Sequence, residues 1–286
     1  MKSRQPIALV TGASSGIGAA TAGQLAKAGY KVYGTSRRGA QASQLAFEML
    51  ALDVTSDSSV EAATNALIQR EGHIDLLVNN AGFGVAPAAA EESSLDQARA
   101  IFDTNFFGIV RMTRAVVPHM RQQCSGRIIN IGSVLGFLPM PYMALYSATK
   151  HAVAGYSEAL DHELRTLGIR VSVVEPAYIN TPFEANLMKP DAPLDVYRDI
   201  RASVEQRVKE VLTGADGPEV VAEIVVQAAT AARPRIRYAP GLARRMRLLR
   251  RFAPVGVLDA GVRKDLRLDT PPALPPRPTA ATPHAS

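Results

Sequence analysis

The sequence predicts an α/β domain in which one parallel sheet is covered by helices on both faces. Short apolar segments of strand length alternate with longer segments of helical period from residue 7 to about residue 238. Apolar residues make up 47% of the 286-residue chain and charged residues 20%, which is enough apolar material for a large buried core. Consecutive parallel strands need right-handed helical crossovers, and these place helices on both faces of the sheet.

The individual elements follow from length and period. The predicted strands are residues 7–10, 31–35, 76–79, 127–131 and 170–175. The predicted crossover helices are residues 18–28, 58–70, 95–121 and 143–167. Ser56 and Ser93 or Ser94 are predicted N-terminal caps, because a serine hydroxyl accepts hydrogen bonds from the unpaired N–H groups of a first helical turn.

The pattern changes after Thr181, where a helix-rich segment over residues 183–212 precedes a helix at 218–231 and a short strand at 235–238. This arrangement predicts a single domain over residues 1–240 with an insertion at about 182–216 that covers a ligand site. A basic helical extension over 241–269 follows it. Residues 270–286 hold six of the nineteen prolines and almost no large apolar residues, which predicts a disordered tail.

The net charge of +6 is unevenly distributed. Residues 233–267 contain eleven Arg or Lys against two Asp, so the rest of the chain carries a net charge of −3. Because the core is not basic, we expect no nucleic-acid partner. The single cysteine, Cys124, allows no intramolecular disulfide and favours a reducing, cytoplasmic location. No apolar run reaches the roughly 18 residues that a transmembrane helix needs.

A glycine-rich turn at residues 11–18, with the sequence T-G-A-S-S-G-I-G, joins the first predicted strand to the first predicted helix. Glycine leaves room for a pyrophosphate to approach the backbone N–H groups and the positive end of the helix. The turn therefore predicts a dinucleotide site in a doubly wound Rossmann-type sheet. Taken alone it is also compatible with a tight turn that binds nothing.

Further polar residues follow in order: Asp53, the run N-N-A-G at 79–82, Asn105, Ser133 and the run Y-S-A-T-K at 146–150. Together with the turn, they resemble the short-chain dehydrogenase/reductase family over about residues 5–240. The resemblance implies a nicotinamide-dependent oxidoreductase, usually a homodimer or homotetramer. Residues 103–120 and 142–161 most resemble its hydroxysteroid and retinol dehydrogenase-like branch, which acts on bulky apolar alcohols and ketones.

Tyr146 and Lys150 lie four residues apart, on one face of a predicted helix. A free phenol has a pKa of about 10, and a nearby ammonium group favours its ionised form. The resemblance implies that Tyr146 exchanges a proton with the substrate oxygen and that Lys150 also holds the nicotinamide ribose. It further implies that Ser133 hydrogen-bonds the reacting oxygen and that Asn105 joins a water relay to the lysine. The alternative for Asn105 is a buried side chain that satisfies backbone groups.

The residues at the end of the second predicted strand indicate which cofactor to expect. An NAD-binding site commonly has an acidic residue there, whereas the sequence here is Ser36, Arg37 and Arg38. Arg37 offers a fork-shaped, charge-assisted donor to a phosphate, so we expect NADP(H). The residues expected to contact it are Gly12, Ser14, Ser15, Gly16, Ile17, Gly18, Ser36, Arg37, Arg38, Asp53, Val54, Asn80, Ala81, Gly82, Tyr146, Lys150, Pro176, Ile179 and Thr181.

A small apolar carbonyl or alcohol is the expected substrate. Tyr142 is assigned to the pocket wall, because the residue four positions after it is not a lysine. The five histidines show no metal-ligand spacing, so no metal site is predicted. The residues that are candidates for an apolar pocket are Phe137, Leu138, Met140, Met143, Phe183 and Leu187.

The basic segment 242–252 has three interpretations. Its apolar residues share one helical face and arginines occupy most of the rest, which is typical of a helix that lies on a membrane surface. A solvated helix that caps the substrate mouth fits the same pattern. Recognition of an anionic acyl substrate is the third interpretation.

Two other functions compete with a carbonyl reductase or alcohol dehydrogenase. One is a catalytically silent protein that senses NADP, against which the complete set of catalytic residues argues. The other is a nucleotide-sugar epimerase or dehydratase, a group that usually has a different glycine spacing and a longer substrate domain.

Overall fold

Seven parallel strands form one sheet in the computed structural model, which describes residues 4–39 and 46–268. Their spatial order is β3-β2-β1-β4-β5-β6-β7. The strands are β1 (Ile7–Val10), β2 (Lys31–Ser36), β3 (Glu48–Ala51), β4 (Leu76–Asn79), β5 (Gly126–Ile131), β6 (Ile169–Val174) and β7 (Arg237–Tyr238). The order reverses between β1 and β4, and this parallel, doubly wound arrangement confirms the predicted fold class.

The helices lie between and after these strands. They are α1 (Gly16–Lys27), α2 (Asp57–Glu71), α3 (Leu95–Phe102), α4 (Gly108–Gln122), α5 (Ala144–Leu164), α6 (Arg198–Thr213), α7 (Glu219–Thr230), α8 (Leu242–Phe252) and α9 (Val255–Asp265). Ser56 and Ser94 cap α2 and α3, because their side chains accept from Ser59 N and Gln97 N.

The single helix predicted over residues 95–121 is interrupted. Asp103–Phe107 forms a π-helical turn between α3 and α4, and the Gly108 N–H donates to the carbonyl of Asp103, five residues earlier. The apolar pattern continues through the turn, so the pattern alone does not reveal it. Asn105 lies in this turn and is 1% exposed.

Apolar side chains cover both faces of the sheet. On one face, α1 packs against α7, and Leu25 and Val225 belong to the core cluster there. On the other face, α2 packs against α4, and Leu67 and Met112 belong to the second cluster. Burial on both faces is what a parallel sheet requires, and it leaves the carboxyl edge of the strands free for a site.

The segments outside this core lie near that edge. After β6, two short helical turns at Glu184–Asn186 and Asp195–Tyr197 lead into α6. After β7, the extension forms two helices, α8 and α9, and the tail predicted to be disordered lies outside the described residues. No helix in the described part of the chain has both the length and the apolar character needed to span a membrane.

Candidate active site

One cavity of about 1230 Å³ lies at the carboxyl edge of the sheet. The loops after β1, β2, β3, β4, β5 and β6 line it, together with parts of α6, α8 and α9. The predicted site residues that line it are Gly12, Ser14, Ser15, Gly16, Ile17, Ser36, Arg37, Arg38, Asp53, Val54, Asn80, Ala81, Gly82, Ser133, Tyr146, Lys150, Pro176, Ile179 and Thr181. Gly18 and Asn105 do not line the cavity. They contact residues that do, Gly12 and Phe83 respectively.

The glycine turn brings bare backbone to the cavity. Gly12 and Gly16 have φ angles of +65° and +54°, a region that side-chain-bearing residues rarely adopt. A Cβ atom at Gly18 would lie 2.2 Å from the carbonyl oxygen of Gly12, so only glycine lets α1 approach the turn this closely. The first-turn N–H groups of a helix have no intrahelical acceptor. The turn therefore fits the phosphates of a dinucleotide.

Thr11 and Asn80 join this turn to the loop after β4. The Thr11 hydroxyl oxygen accepts from the N–H groups of Asn80 at 2.9 Å and Ala81 at 3.0 Å. The Asn80 amide in turn donates to the carbonyls of Thr11 and Gly12, both at 3.0 Å. Sequence reasoning did not select Thr11 as a site residue, although it directly precedes the first glycine of the motif. It positions two residues that line the cavity.

Charged residues that follow β2 and β3 also line the cavity. Asp53 accepts from the Thr55 N–H at 2.9 Å and from the Thr55 hydroxyl at 2.8 Å. The backbone hydrogen bond from Thr55 is the main cause that lowers the pKa of Asp53, and the charge of Arg37 adds to it. Arg37 and Arg38 are exposed side chains on the cavity rim, and they could bind an anionic group.

Ser133, Tyr146 and Lys150 all line the cavity. Ser133 follows β5, and its hydroxyl oxygen accepts from the Leu135 N–H at 3.1 Å. Lys150 is buried on α5, and its ammonium group donates to the carbonyl of Ile131 at 2.9 Å. The same Nζ atom lies 5.5 Å from the centre of the Tyr146 ring.

Burial is the main cause of the pKa shifts of Tyr146 and Lys150. Desolvation raises the pKa of Tyr146, the negative charge of Glu184 raises it further, and the Ser133 hydroxyl lowers it. Desolvation lowers the pKa of Lys150 to about 8. Burial has the largest effect on the pKa of Tyr146, and the expectation that Lys150 favours the ionised phenol stays a prediction. The raised pKa of Tyr146 favours the neutral phenol.

Asn105 is buried, and its side chain forms hydrogen bonds with backbone groups. Its Oδ1 atom accepts from the Phe83 N–H at 3.0 Å, and its Nδ2 atom donates to the Phe83 carbonyl at 2.8 Å. Its Nδ2 atom also lies 3.4 Å from the Thr149 hydroxyl, on the helix that carries Tyr146. Asn105 therefore links the loop after β4 to α5.

Most of the other residues that line the cavity are apolar. Of the six residues proposed for an apolar pocket, Leu138, Met140, Met143, Phe183 and Leu187 line it and Phe137 does not. Tyr142 was also assigned to the wall, which is wrong: its φ angle is +62° and its ring packs edge-on against Tyr197, 6.4 Å away. The residues of α8 and α9 that line the cavity are Met246, Leu249, Val257, Leu258, Gly261, Val262 and Asp265.

The fold and this site define a dinucleotide-binding α/β enzyme with a Ser, Tyr and Lys group. The family model described as short chain dehydrogenase matches residues 6–192. The chain therefore belongs to the short-chain dehydrogenase/reductase family and is an oxidoreductase of that family.

Two curated relatives are similar over much of their length. The chain is 44% identical over 180 residues to 3-ketodihydrosphingosine reductase of Bacteroides thetaiotaomicron, a match that covers 63% of this chain and 66% of that protein. It is 33% identical over 253 residues to retinol dehydrogenase 8 of Bos taurus, covering 80% of this chain and 79% of that protein.

Solved structures are similar across most of the chain. A short-chain dehydrogenase from Streptomyces avermitilis is 31% identical with a TM-score of 0.74, covering 92% of this chain and 95% of that one. A 3-ketoacyl-(acyl-carrier-protein) reductase from Brucella melitensis, complexed with NADH, is 29% identical with a TM-score of 0.69 and coverages of 82% and 96%. A serine dehydrogenase complexed with NADP+ is 28% identical with a TM-score of 0.70 and coverages of 82% and 95%.

Proposed function

We propose that the protein uses NADP(H) to interconvert a carbonyl and an alcohol on an apolar substrate, with Tyr146 as general acid and base. The observation that carries this proposal is the position of Ser133, Tyr146 and Lys150. They line one cavity together with the glycine turn, its polar neighbours and apolar side chains of α8 and α9. A substrate oxygen beside them would face the two hydroxyl groups, while the apolar chain of the substrate would extend toward α8 and α9.

A nicotinamide cofactor, when bound, supplies the hydride for reduction. The Tyr146 phenol then donates its proton to the carbonyl oxygen, and the raised pKa of Tyr146 keeps that proton on the phenol near neutral pH. The Ser133 oxygen already accepts from Leu135 N, so the Ser133 O–H is available to donate to the same substrate oxygen. Lys150 places a buried cation beside the phenol, which stabilises the phenolate left after proton transfer.

Charge at the cavity rim supports NADP(H) over NAD(H). Arg37 and Arg38 follow β2 and line the cavity, at the place where a selective NAD site commonly has an acidic residue. A guanidinium group binds phosphate oxygens through two parallel hydrogen bonds, an advantage that the unphosphorylated cofactor does not receive.

The size and lining of the substrate half support a long or bulky apolar ketone. Side chains from the loops after β5 and β6 and from α8 and α9 surround it, and most of them are aliphatic or methionine. The named substrates of the two curated relatives, a 3-ketodihydrosphingosine and a retinol, are compatible with this lining.

The direct test is oxidation of NADPH and of NADH by the purified protein with a panel of apolar ketones and aldehydes. Turnover that prefers NADPH is expected. Tyr146→Phe should lose most of this turnover while it retains NADPH binding, because the change removes the proton donor and little volume. A catalytically silent NADP sensor would bind NADPH without turnover in the wild type. An epimerase or dehydratase would instead bind nucleotide sugars.

We also propose that the protein forms a homodimer or homotetramer. Leu95 of α3 and Phe107 of the π-helical turn are 73% and 48% exposed, and an apolar surface of this kind favours burial against another chain. Light scattering coupled to size-exclusion chromatography would give the oligomeric state. The cytoplasmic location of the protein stays a prediction, which cell fractionation would test.

A further inference from the structure

Glu184 places a carboxylate in the cavity, next to the residue that packs against Tyr146. It begins the short helical turn Glu184–Asn186, directly after Phe183, whose ring packs against Tyr146 with 5.9 Å between ring centres. Glu184 itself lines the cavity and is half-buried. The carboxylate therefore lies beside the reaction centre, and its charge adds to burial in raising the pKa of Tyr146.

Glu184 has no counter-charge in the described part of the chain. Three carboxylates line the cavity there, and two of them have partners: Asp53 binds Thr55, and Asp265 accepts from Arg207 at 2.6 Å. Desolvation alone raises the pKa of Glu184, with no hydrogen bond or cation acting against it. A half-buried carboxylate without a partner costs free energy that a cationic ligand would recover.

We infer that Glu184 binds the ammonium group of the substrate, so that the substrate class is an apolar amino ketone with its amine close to the reacting carbonyl. This inference rests on the proposed function. An ammonium group at Glu184 would also cancel the negative charge that Tyr146 experiences. Because that charge disfavours the phenolate, the amine would make Tyr146 a stronger acid during carbonyl reduction.

Two matched probes test the inference: a twelve-carbon ketone with an amine on the carbon next to the carbonyl, and the same ketone without the amine. The wild type should have the higher kcat/KM for the amino ketone. Glu184→Gln should lower that value about ten- to a hundredfold, the range of a charge-assisted hydrogen bond, and should leave the plain ketone nearly unchanged. Asp199→Asn, an exposed carboxylate of the same insertion that does not line the cavity, should change neither value.

Equal wild-type kcat/KM values for the two ketones, or equal losses in Glu184→Gln, would overturn the inference while leaving carbonyl reduction intact. If neither ketone is reduced, the proposed function fails, and binding decides the inference separately. Dodecylamine should then bind the wild type more tightly than it binds Glu184→Gln, with dodecanol as the uncharged control. Equal dodecylamine affinities would reject an ammonium site.

A second inference rests on the surface of α8 and α9. Phe252 and Val255, at the junction of the two helices, are 73% and 74% exposed, and Leu248, Leu249 and Val257 are also exposed. Large contiguous apolar patches are uncommon on monomeric soluble proteins and mark interaction sites. Leu249 and Val257 also line the cavity, so this apolar surface reaches the substrate mouth.

The arginines of α8 divide into two groups. Arg247 pairs with the buried Glu175 at 3.0 Å, and Arg250 donates to the Phe137 carbonyl at 3.2 Å, so both attach α8 to the body of the protein. Arg244, Arg245 and Arg251 are exposed on the same helix. Basic residues beside exposed apolar ones favour an anionic lipid surface, which offers both phosphate charge and an apolar interior.

We propose that the α8–α9 surface docks on an anionic bilayer and opens the apolar half of the cavity toward it. The full chain should co-sediment with vesicles of phosphatidylcholine and phosphatidylglycerol, and less with phosphatidylcholine alone. Phe252→Ser and Arg245→Glu should each reduce this binding several-fold, whereas Leu167→Ser, an exposed apolar site just before β6, should not. Absence of binding to both vesicles, or equal loss in Leu167→Ser, would overturn the proposal in favour of a protein partner or a solvated lid.

Discussion

Asn105 forms hydrogen bonds with both backbone polar groups of one residue, Phe83, at 3.0 and 2.8 Å. The π-helical turn makes this contact, because it places Asn105 in the core beside the loop that follows β4. Gly82 leaves room for the contact, since a Cβ atom there would lie 2.9 Å from Asn105 Oδ1. Asn105 therefore holds the Phe83 end of the loop that lines the cavity.

Replacement of Asn105 by alanine should both destabilise the protein and impair the site. It removes the partners of the Phe83 N–H and C=O, and a lost buried hydrogen bond costs about 1–3 kcal/mol per unsatisfied group. Urea unfolding and NADPH titration would measure the two effects. Normal NADPH affinity in a destabilised variant would indicate that the loop does not need Asn105 to reach its bound shape.

The arginine at the end of β2 should control cofactor preference. Arg37→Ala should weaken NADPH binding about tenfold or more, the value of a lost charge-assisted hydrogen bond, and should leave NADH binding little changed. Fluorescence titration with both cofactors would measure the difference. Arg99→Ala, an exposed arginine of α3, serves as a control for nonspecific charge effects. Parallel losses for NADPH and NADH would place the phosphate elsewhere.

The Asp161 carboxylate should make the free energy of unfolding depend on pH in the acidic range. Burial acts to raise the pKa of this carboxyl, but Arg170, the Val171 N–H and Arg165 outweigh it and lower the pKa. A folded-state pKa below the unfolded value of about 3.9 stabilises the protein above that pH, and the contribution is lost as pH falls through the folded pKa.

Asp161→Asn should therefore cost about 1–3 kcal/mol of unfolding free energy at pH 7, and the difference from the wild type should shrink below about pH 4. Urea unfolding at both pH values would test this. Asp96→Asn is the control, because its partner Arg99 and Asp96 itself are both exposed, and such pairs contribute about 0–1 kcal/mol. A constant difference at all pH values would argue against the charge of Asp161.

Two glycines of α1 offer a matched comparison. Gly18→Ala would bring a methyl group to 2.2 Å from the Gly12 carbonyl oxygen, so it should distort the glycine turn and weaken NADPH binding at least tenfold. Gly23→Ala meets no atom within 4 Å and should stabilise the helix by up to about 1 kcal/mol. Thermal unfolding with and without NADPH would distinguish them. Equal effects of the two changes would contradict a role for close packing at Gly18.

Much of the fold was predictable because buried parallel strands leave a strong apolar signal. Residues 7–10 and 76–79 coincide with β1 and β4, since both strands are buried along their whole length. Glu48–Ala51 gives no such signal, because β3 lies at the sheet edge with Glu48 and Ala51 exposed. The spacing of Tyr146 and Lys150 was informative because a single helix carries both.

Other features depend on contacts that the sequence pattern does not contain. The π-helical turn leaves the apolar period of residues 95–121 intact, so the sequence pattern predicted one continuous helix over these residues. Tyr142 has a left-handed backbone conformation, which the residue types around it do not predict. Its ring packs against Tyr197 of the insertion. Glu184 was not selected because one carboxylate in a helix-rich segment looks like a solvated residue.

The ion pair between Arg247 and Glu175 has a consequence for the boundary of the catalytic unit. Glu175 is fully buried at the end of β6, directly before the segment that carries Pro176 and Ile179, and Arg237 is its other partner. A chain cut after residue 240 would leave that carboxylate with half of its compensating charge. The C-terminal extension therefore stabilises the loop after β6 that lines the cavity, and the smallest stable enzyme should include α8.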